Sequence, residues 1–268
     1  VSKIGKDRRT INAVWPVIVN RIRGVPEYVD LFIETFDEIN DPMEIQINHI
    51  ANAISAFIIK EWTSFDSPFD DYISGNKNAL TLTQKKGMDL FFGKGECSSC
   101  HSGQLFTDQK FYALAIPQFG PGRTRRLDPY TRDVGRMGES DNLEDMYRFK
   151  TPSLRNVSLT KPYGHNGAYP TLKGIVKHHL KPIEMYNRWK PAMANLPKAG
   201  WLEDIDFIVF SDKREQQRLI KKIDIDEVEL TDKEVDAIIS FLYSLTGKTE
   251  NTRPLGKPRS VPSGFLVD

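Results

Sequence analysis

Residues 97–101 read Cys97-Ser98-Ser99-Cys100-His101, a Cys-x-x-Cys-His run. Two thiols with two residues between them span the two vinyl groups of a haem, and the imidazole that follows at once lies under the iron as its fifth ligand. A thioredoxin-like redox pair carries the same two cysteines but sits in a βαβ context, and no such pattern surrounds these residues. A zinc site needs a second Cys/His pair, and the chain holds no other cysteine. The motif therefore specifies one covalently bound haem c, with Cys97 and Cys100 as the attachment points and His101 as iron ligand. Covalent attachment implies a bacterial protein matured outside the cytoplasm, periplasmic or otherwise exported, with a targeting segment expected ahead of Val1.

Outside the motif, 268 residues with 39% apolar side chains are enough for a real core, which excludes wholesale disorder. Thirty-seven basic against 36 acidic side chains leave a formal charge of +1, which argues against a nucleic-acid binder. The longest apolar candidate for a membrane span, 45–62, is broken by Asn48, His49, Asn52 and Lys60, so no span is expected.

Working outward, Leu82-Thr83 is expected to cap a helix over 84–93 that runs into the cysteines. Upstream, apolar residues at helical spacing over 13–39 predict two helices broken near Gly24, with Pro26 in the first turn of the second. Asp41-Pro42 should open a third helix. Its apolar residues (Ile45, Ile47, Ile50, Ala51, Ile54, Phe57 and Ile58) cover most of its surface, so it is expected to be buried on several sides. Downstream, 102–150 is rich in Gly, Pro and Arg without periodicity and reads as a long loop that wraps something. A short helix is expected over 171–180. Residues 181–228 read as a polar insertion whose Trp189 and Trp201 are candidates to anchor a partner surface, and 205–210 is the best strand signal. Thr231-Asp232-Lys233-Glu234 is a capping box for a final helix that Gly247 stops. Pro254, Pro258 and Pro262 mark an extended arm. The fold class is mainly α: a cytochrome c-like haem domain with long irregular loops.

Several separated segments together resemble one family. LFFGKGECSSCHSGQLFTD (90–108), DVGR (133–136), FKTPSLRNVSLTKPYGHNG (149–167) and LTDKEVDAIISFLYSLTG (230–247) look like the bacterial di-haem cytochrome c peroxidases and their MauG-like relatives, and SPFDDYISGNKNAL (67–80) resembles the stretch before their second haem. The family has two haem domains and two attachment motifs; this chain has one. The resemblance therefore implies three parts: 1–62 as the helical remainder of the first haem domain, 63–250 as the cytochrome c-like haem domain with the insertion 181–228, and 251–268 as an extended C-terminal arm. A second haem domain or subunit is the implied partner, together with a redox protein donor or substrate and oligomerisation.

The resemblance also implies site residues. In the family the distal ligand falls fourteen positions after the histidine of the segment written here HNGAYPTLKGIVKHH, which is His179 counted from His165. The peroxidases carry Met there and MauG-like enzymes Tyr; His179 implies a bis-imidazole iron with His101. His178 competes, because neighbours on a helix point about 100° apart and only one can face the iron. Two imidazoles lower the potential relative to a Met ligand and leave no open position on iron, which makes this an electron-transfer haem. His165 reads either as a turn histidine or as a group near the haem or domain seam. Met185 and Met193 are packing residues, and His49 a core histidine. Phe106 and Tyr163 are expected to pack on the macrocycle; Arg136, Lys150 and Arg155 are candidates to neutralise the propionates. The family holds calcium partly through backbone carbonyls matched here by Thr160 and Pro162, and carbonyl oxygen suits that hard cation. The implied function is the electron-transfer domain of a di-haem peroxidase-type oxidoreductase. The alternatives are a MauG-like or other specialised multi-haem enzyme subunit, and a non-enzymatic electron-carrier module.

Overall fold

A computed structural model describes residues 14–120, 132–196, 200, 205–248 and 258–266. Trp201 and the first part of the proline-marked arm lie outside the described residues. The chain divides into two compact units, Val1–Thr63 with Asn251–Asp268, and Ser64–Glu250.

In the first unit, helices α1 (Val14–Arg23) and α2 (Pro26–Thr35) are separated at Gly24, with Pro26 opening α2 because a first-turn residue has no intrahelical N–H bond to lose. Val29, Ile39 and Ile45 form a small core with Phe32 and Phe36. No α-helix opens at Asp41-Pro42. The Asp41 and Glu44 side chains cap a single tight turn there, and Ile45 then turns extended. Helix α3 starts only at Ile47 and runs to Trp62. His49 is buried, packs at a tilt against the Phe36 ring and accepts from the Gln46 N–H at 3.1 Å. The expectation that this helix is buried on several sides is not met within the chain. Only its first turn is covered, and Ile54, Phe57, Ile58 and Ile59 are exposed, because its apolar residues run around the helix rather than along one stripe.

The second unit carries the haem motif. Ser67 and Asp70 cap α4 (Pro68–Ile73), and Thr81, not the Leu82-Thr83 pair, caps α5 (Leu82–Phe92) through a reciprocal bond with Gln84. Beyond α5 the chain is mostly irregular. A two-stranded ribbon, β1 (Phe111–Tyr112) antiparallel to β2 (Phe149–Lys150), ties its ends, and α6 (Met137–Ser140) is one turn. Then come α7 (Leu172–Leu180), α8 (Pro182–Arg188), α9 (Ile208–Ser211), α10 (Lys213–Lys221) and α11 (Asp232–Tyr243). Thr231 and Glu234 form the expected capping box on α11. Residues 205–210 are not a strand: a turn leads into α9, and Val209 alone of them packs as a buried helix residue.

Helices α5 and α11 cross so closely that a side chain at Gly87 has no room. Around this crossing Phe69, Phe91, Phe106 and Phe241 form an edge-to-face aromatic cluster with centroids 5.2–6.3 Å apart, the arrangement ring quadrupoles favour. The result is a mainly α, cytochrome c-like fold. Trp189 belongs to its core and does not anchor a partner surface: it is buried, stacks on Phe119 and donates its indole N–H to the Ala168 carbonyl at 2.8 Å. An indole N–H beside a ready acceptor is satisfied indoors, which removes the reason to face a partner.

Candidate haem site

Helix α5 delivers the chain to one tight turn, Cys97–Ser99, followed by Cys100 and His101. The His101 N–H returns to the Cys97 carbonyl at 2.9 Å, which closes the motif on itself. The two thiols are half-buried and not joined as a disulfide. Burial pushes the Cys97 thiol up to about 11. Both cysteines and His101 line a cavity of about 720 Å³. Its walls are largely apolar, with Leu114, Ile116, Val157, Leu172, Ile175 and Leu242 among them.

His179 lines the opposite side, from the last turn of α7. The two imidazole centroids stand 6.3 Å apart with their planes at 56°. Each ring is held through Nδ1 by a carbonyl: His101 by Phe106 at 3.1 Å and His179 by Ile175 at 2.9 Å. A carbonyl only accepts, so Nδ1 carries the hydrogen in both rings and Nε2 keeps its lone pair. Burial, with the neighbouring His179 second, pushes His101 down to about 4, and burial lowers His179 too, so both rings are neutral as metal ligands must be. Metal–imidazole bonds of about 2 Å, with each ring nitrogen about 1 Å from its ring centre, space two centroids on one metal by about 6 Å. The cavity size, the unpaired thiols and the spacing of the two imidazole rings fit a haem c.

His178 does not reach the cavity. It is fully buried, with Nδ1 2.7 Å from the Tyr169 hydroxyl and Nε2 2.7 Å from the Leu114 carbonyl, and burial pushes it down to about 4. His165 lines the cavity and stacks on Phe149 with centroids 3.4 Å apart; enclosure by the walls pushes its imidazole down to about 3. Tyr163, Thr160 and Pro162 also line it. Phe106 departs from expectation. Its ring is buried in the aromatic cluster rather than along the cavity, and its contribution to the site is the carbonyl that holds His101.

The two arginines expected at the propionates are otherwise engaged, since carboxylates of the chain already pair them. Arg155 reaches both oxygens of Asp70 at 2.7 and 2.8 Å and donates Nε–H to the Gln104 carbonyl, which ties the loop after the motif to α4. Arg136 pairs with Asp145 at 3.1 Å over the Phe111 ring. Neither lines the cavity, whereas Lys150 does. Sequence reasoning also missed Tyr147. Its buried ring lines the cavity, and its hydroxyl donates at 2.5 Å to Glu215. Glu215 is itself buried and paired with Arg132 at 3.2 Å and Arg218 at 3.4 Å. Glu215 lies on α10, so part of the insertion 181–228 closes one wall of the site. No sequence signal marks a backbone carbonyl, and Tyr147 and Glu215 are 68 residues apart.

A mainly α chain that sets Cys-x-x-Cys-His against a second imidazole across an apolar cavity has the fold of a cytochrome c-like haem domain. A family model described as di-haem cytochrome c peroxidase matches residues 5–78. The chain is 36% identical to cytochrome c peroxidase Ccp of Escherichia coli over 62% of its own length and 34% of that protein's. It is 30% identical to the methylamine utilization protein MauG of Methylorubrum extorquens, over 64% of this chain and 44% of that one. The crystal structure of the diheme peroxidase BthA from Burkholderia thailandensis superimposes with a TM-score of 0.50 at 22% identity, covering 85% of this chain and 56% of that one, a likeness of fold. Over the parts matched, the chain is similar to the bacterial di-haem cytochrome c peroxidases and MauG. It spans about half or less of the length of these relatives. No helix among the described residues is long and apolar enough to cross a membrane.

Proposed function

We propose that this chain is the haem c electron-transfer domain of a di-haem peroxidase-type oxidoreductase of the bacterial periplasm, passing electrons to a peroxidatic haem in a further domain or partner. The observation that carries the reading is the pair of facing imidazoles, His101 and His179, each with Nδ1 tied to a carbonyl and Nε2 left to bind. Cys97 and Cys100 would hold the macrocycle as thioethers, and His101 and His179 would bind the iron from its two sides. The group would supply one-electron exchange at an iron with no position left for peroxide. The chain's own residues exclude water with an apolar wall, and Lys150 at the cavity offers a cation to the acidic edge of the porphyrin.

Residues 1–62 are read as the end of the first haem domain. The family match over 5–78 supports this, and the exposed apolar residues of α3 are the surface such a domain would cover. The resemblance to MauG supports a second reading, in which the same domain relays oxidising equivalents for work on another substrate. Calcium on the Thr160 and Pro162 carbonyls belongs to the reading as well. Among the described residues no cluster of three or more His, Cys, Asp or Glu stands ready for a metal, so its remaining ligands would come from the part of the relatives this chain does not span.

Optical and EPR spectra of the haem-loaded protein test the ligand set. Six-coordinate, low-spin ferric iron without a methionine charge-transfer band is expected, and His179→Ala should give a high-spin iron open to cyanide. A high-spin wild-type spectrum, or a low-spin spectrum unchanged in His179→Ala, refutes it.

A further inference from the structure

His179 is held by Ile175, a carbonyl of its own helix. That bond orients the ring on α7 but says nothing of which way α7 itself faces. A rotation of α7 by one residue, about 100°, would carry His178 towards the cavity and His179 away from it.

What opposes that rotation is the neighbour. His178 is completely buried and bonded at both ring nitrogens to groups outside its own helix. The Leu114 carbonyl only accepts, so Nε2 carries the hydrogen; Nδ1 then accepts from the Tyr169 hydroxyl, and one tautomer is fixed. The two partners belong to different walls. Leu114 lines the cavity just beyond β1. Tyr169 exchanges backbone hydrogen bonds of 2.8 and 3.0 Å with Tyr163, which lines the cavity elsewhere. Helix α7 also lies directly on the Tyr169 ring: a methyl group at Gly174 would stand 2.9 Å from its Cδ1. Turning α7 would strand three buried polar groups at once.

We propose that the Tyr169–His178–Leu114 hydrogen-bond chain is a positioning device that fixes the facing of the His179 imidazole, an inference that rests on the reading of His179 as an axial ligand. His178 is thus a positioning residue that acts on the iron through its neighbour. It sets the angle between the two imidazole planes and holds closed the opening through which His179 would leave the metal.

Tyr169→Phe in the haem-loaded protein tests this, because it removes one hydroxyl and keeps the ring that α7 packs on. The ferric protein should stay low-spin with shifted and broadened EPR g-values, since these report the mutual angle of two axial imidazoles. Carbon monoxide binding to the ferrous protein requires His179 to leave, and should accelerate on the order of tenfold, the factor one lost buried hydrogen bond contributes to an opening equilibrium. His178→Gln, which keeps a donor and an acceptor, should lie between Tyr169→Phe and wild type. Unaltered g-values and carbon monoxide kinetics in Tyr169→Phe, beside a low-spin wild type, overturn the positioning role alone. A high-spin wild type overturns the ligand reading and the clamp together. Where Tyr169→Phe lowers the yield of folded protein, nitrogen-15 spectra of the wild-type histidines decide the matter: His178 protonated at Nδ1 rather than Nε2 is incompatible with the chain.

Discussion

Gly87→Ala should destabilise the haem unit, although by helix propensity alone it should help. An alanine in mid-helix is worth about 1 kcal/mol more than glycine. Here the added carbon would lie 1.9 Å from the Ala237 carbonyl oxygen, 2.5 Å from its carbon and 3.0 Å from Phe241 Cβ. Backbone atoms have no rotamer to escape into, so α5 and α11 must separate by more than an ångström. A gap of that size forfeits a quarter to a half of each dispersion contact along the seam. Overpacking of this kind costs roughly 3 kcal/mol or more. Net of propensity, a loss of about 2–4 kcal/mol remains, and at about 2–4 °C per kcal/mol for a unit of this size the melting temperature should fall by roughly 4–16 °C. Differential scanning calorimetry of the haem-loaded protein measures it. Ala237→Gly should not rescue the variant, because the obstacle is the carbonyl and not the methyl. A melting temperature equal to or above wild type, or full rescue by Ala237→Gly, would refute the close crossing.

Asp70→Asn should cost about 3–5 kcal/mol by chemical denaturation, since it leaves the buried Arg155 guanidinium without its carboxylate; a loss under 1 kcal/mol would mean the pair is no more than a surface one. Burial acts upward on the Asp70 carboxyl, but hydrogen bonds from Ser67 and Arg155 outweigh it and hold the group below the usual carboxylate range. Its stabilisation is therefore present above the unfolded value of about 3.9 and lost as pH falls through the lower folded value. Acid unfolding below about pH 4 should be blunted in Asp70→Asn relative to wild type. Tyr147→Phe should cost about 1–3 kcal/mol by leaving the buried Glu215 short of a donor. Burial first, and Glu215 second, push the Tyr147 phenol up. Its contribution is thus complete below about pH 10 and declines only above that. Ultraviolet difference titration of the folded protein should show one late-ionising tyrosine fewer in Tyr147→Phe than in wild type, and the same number in both would contradict the buried pair.

The proximal half of the site was legible because it is local. Cys97, Cys100 and His101 are specified by covalent reach, and even the carbonyl that orients His101 comes from Phe106, five residues on, closing a loop the motif itself begins. His179 was reachable only through register, which left His178 open; what separates them in space is the environment of His178, built from Leu114 and Tyr169, and no spacing rule contains that. The arginines misled for a related reason. A sequence shows that Arg136 and Arg155 are cationic but not that Asp145 and Asp70 lie beside them, and a guanidinium already bound in fork geometry has little left for a propionate. Helix α11, with its capping box at fixed offsets, carried its own start signal, whereas Ser67-Pro68 reads as a turn until Asp70 is seen to close the cap of α4. Helix α3 carried none, because the tight turn capped by Asp41 and Glu44 resembles a helix start until Ile45 departs from it.

This division between local and remote bears on how the two proposed ligands would be brought to the iron. The attachment turn, the His101 ring and its Phe106 carbonyl all lie within residues 97–106, so the hydrogen bonds of the proximal side are local in sequence. The distal side needs α7 seated on Tyr169, the β1 end presenting the Leu114 carbonyl and, through Lys173 with Asp236 and Lys177 with Asp232, α11 alongside. Those last two pairs are exposed and contribute little, so the buried histidine carries most of the constraint. In the proposed ligand set, the imidazole at position 179 would meet the iron only once α7, the Leu114 segment and the Tyr169 bridge have come together. The proposed distal ligand thus depends on packing across the haem unit, whereas the proposed proximal ligand depends on ten residues of it.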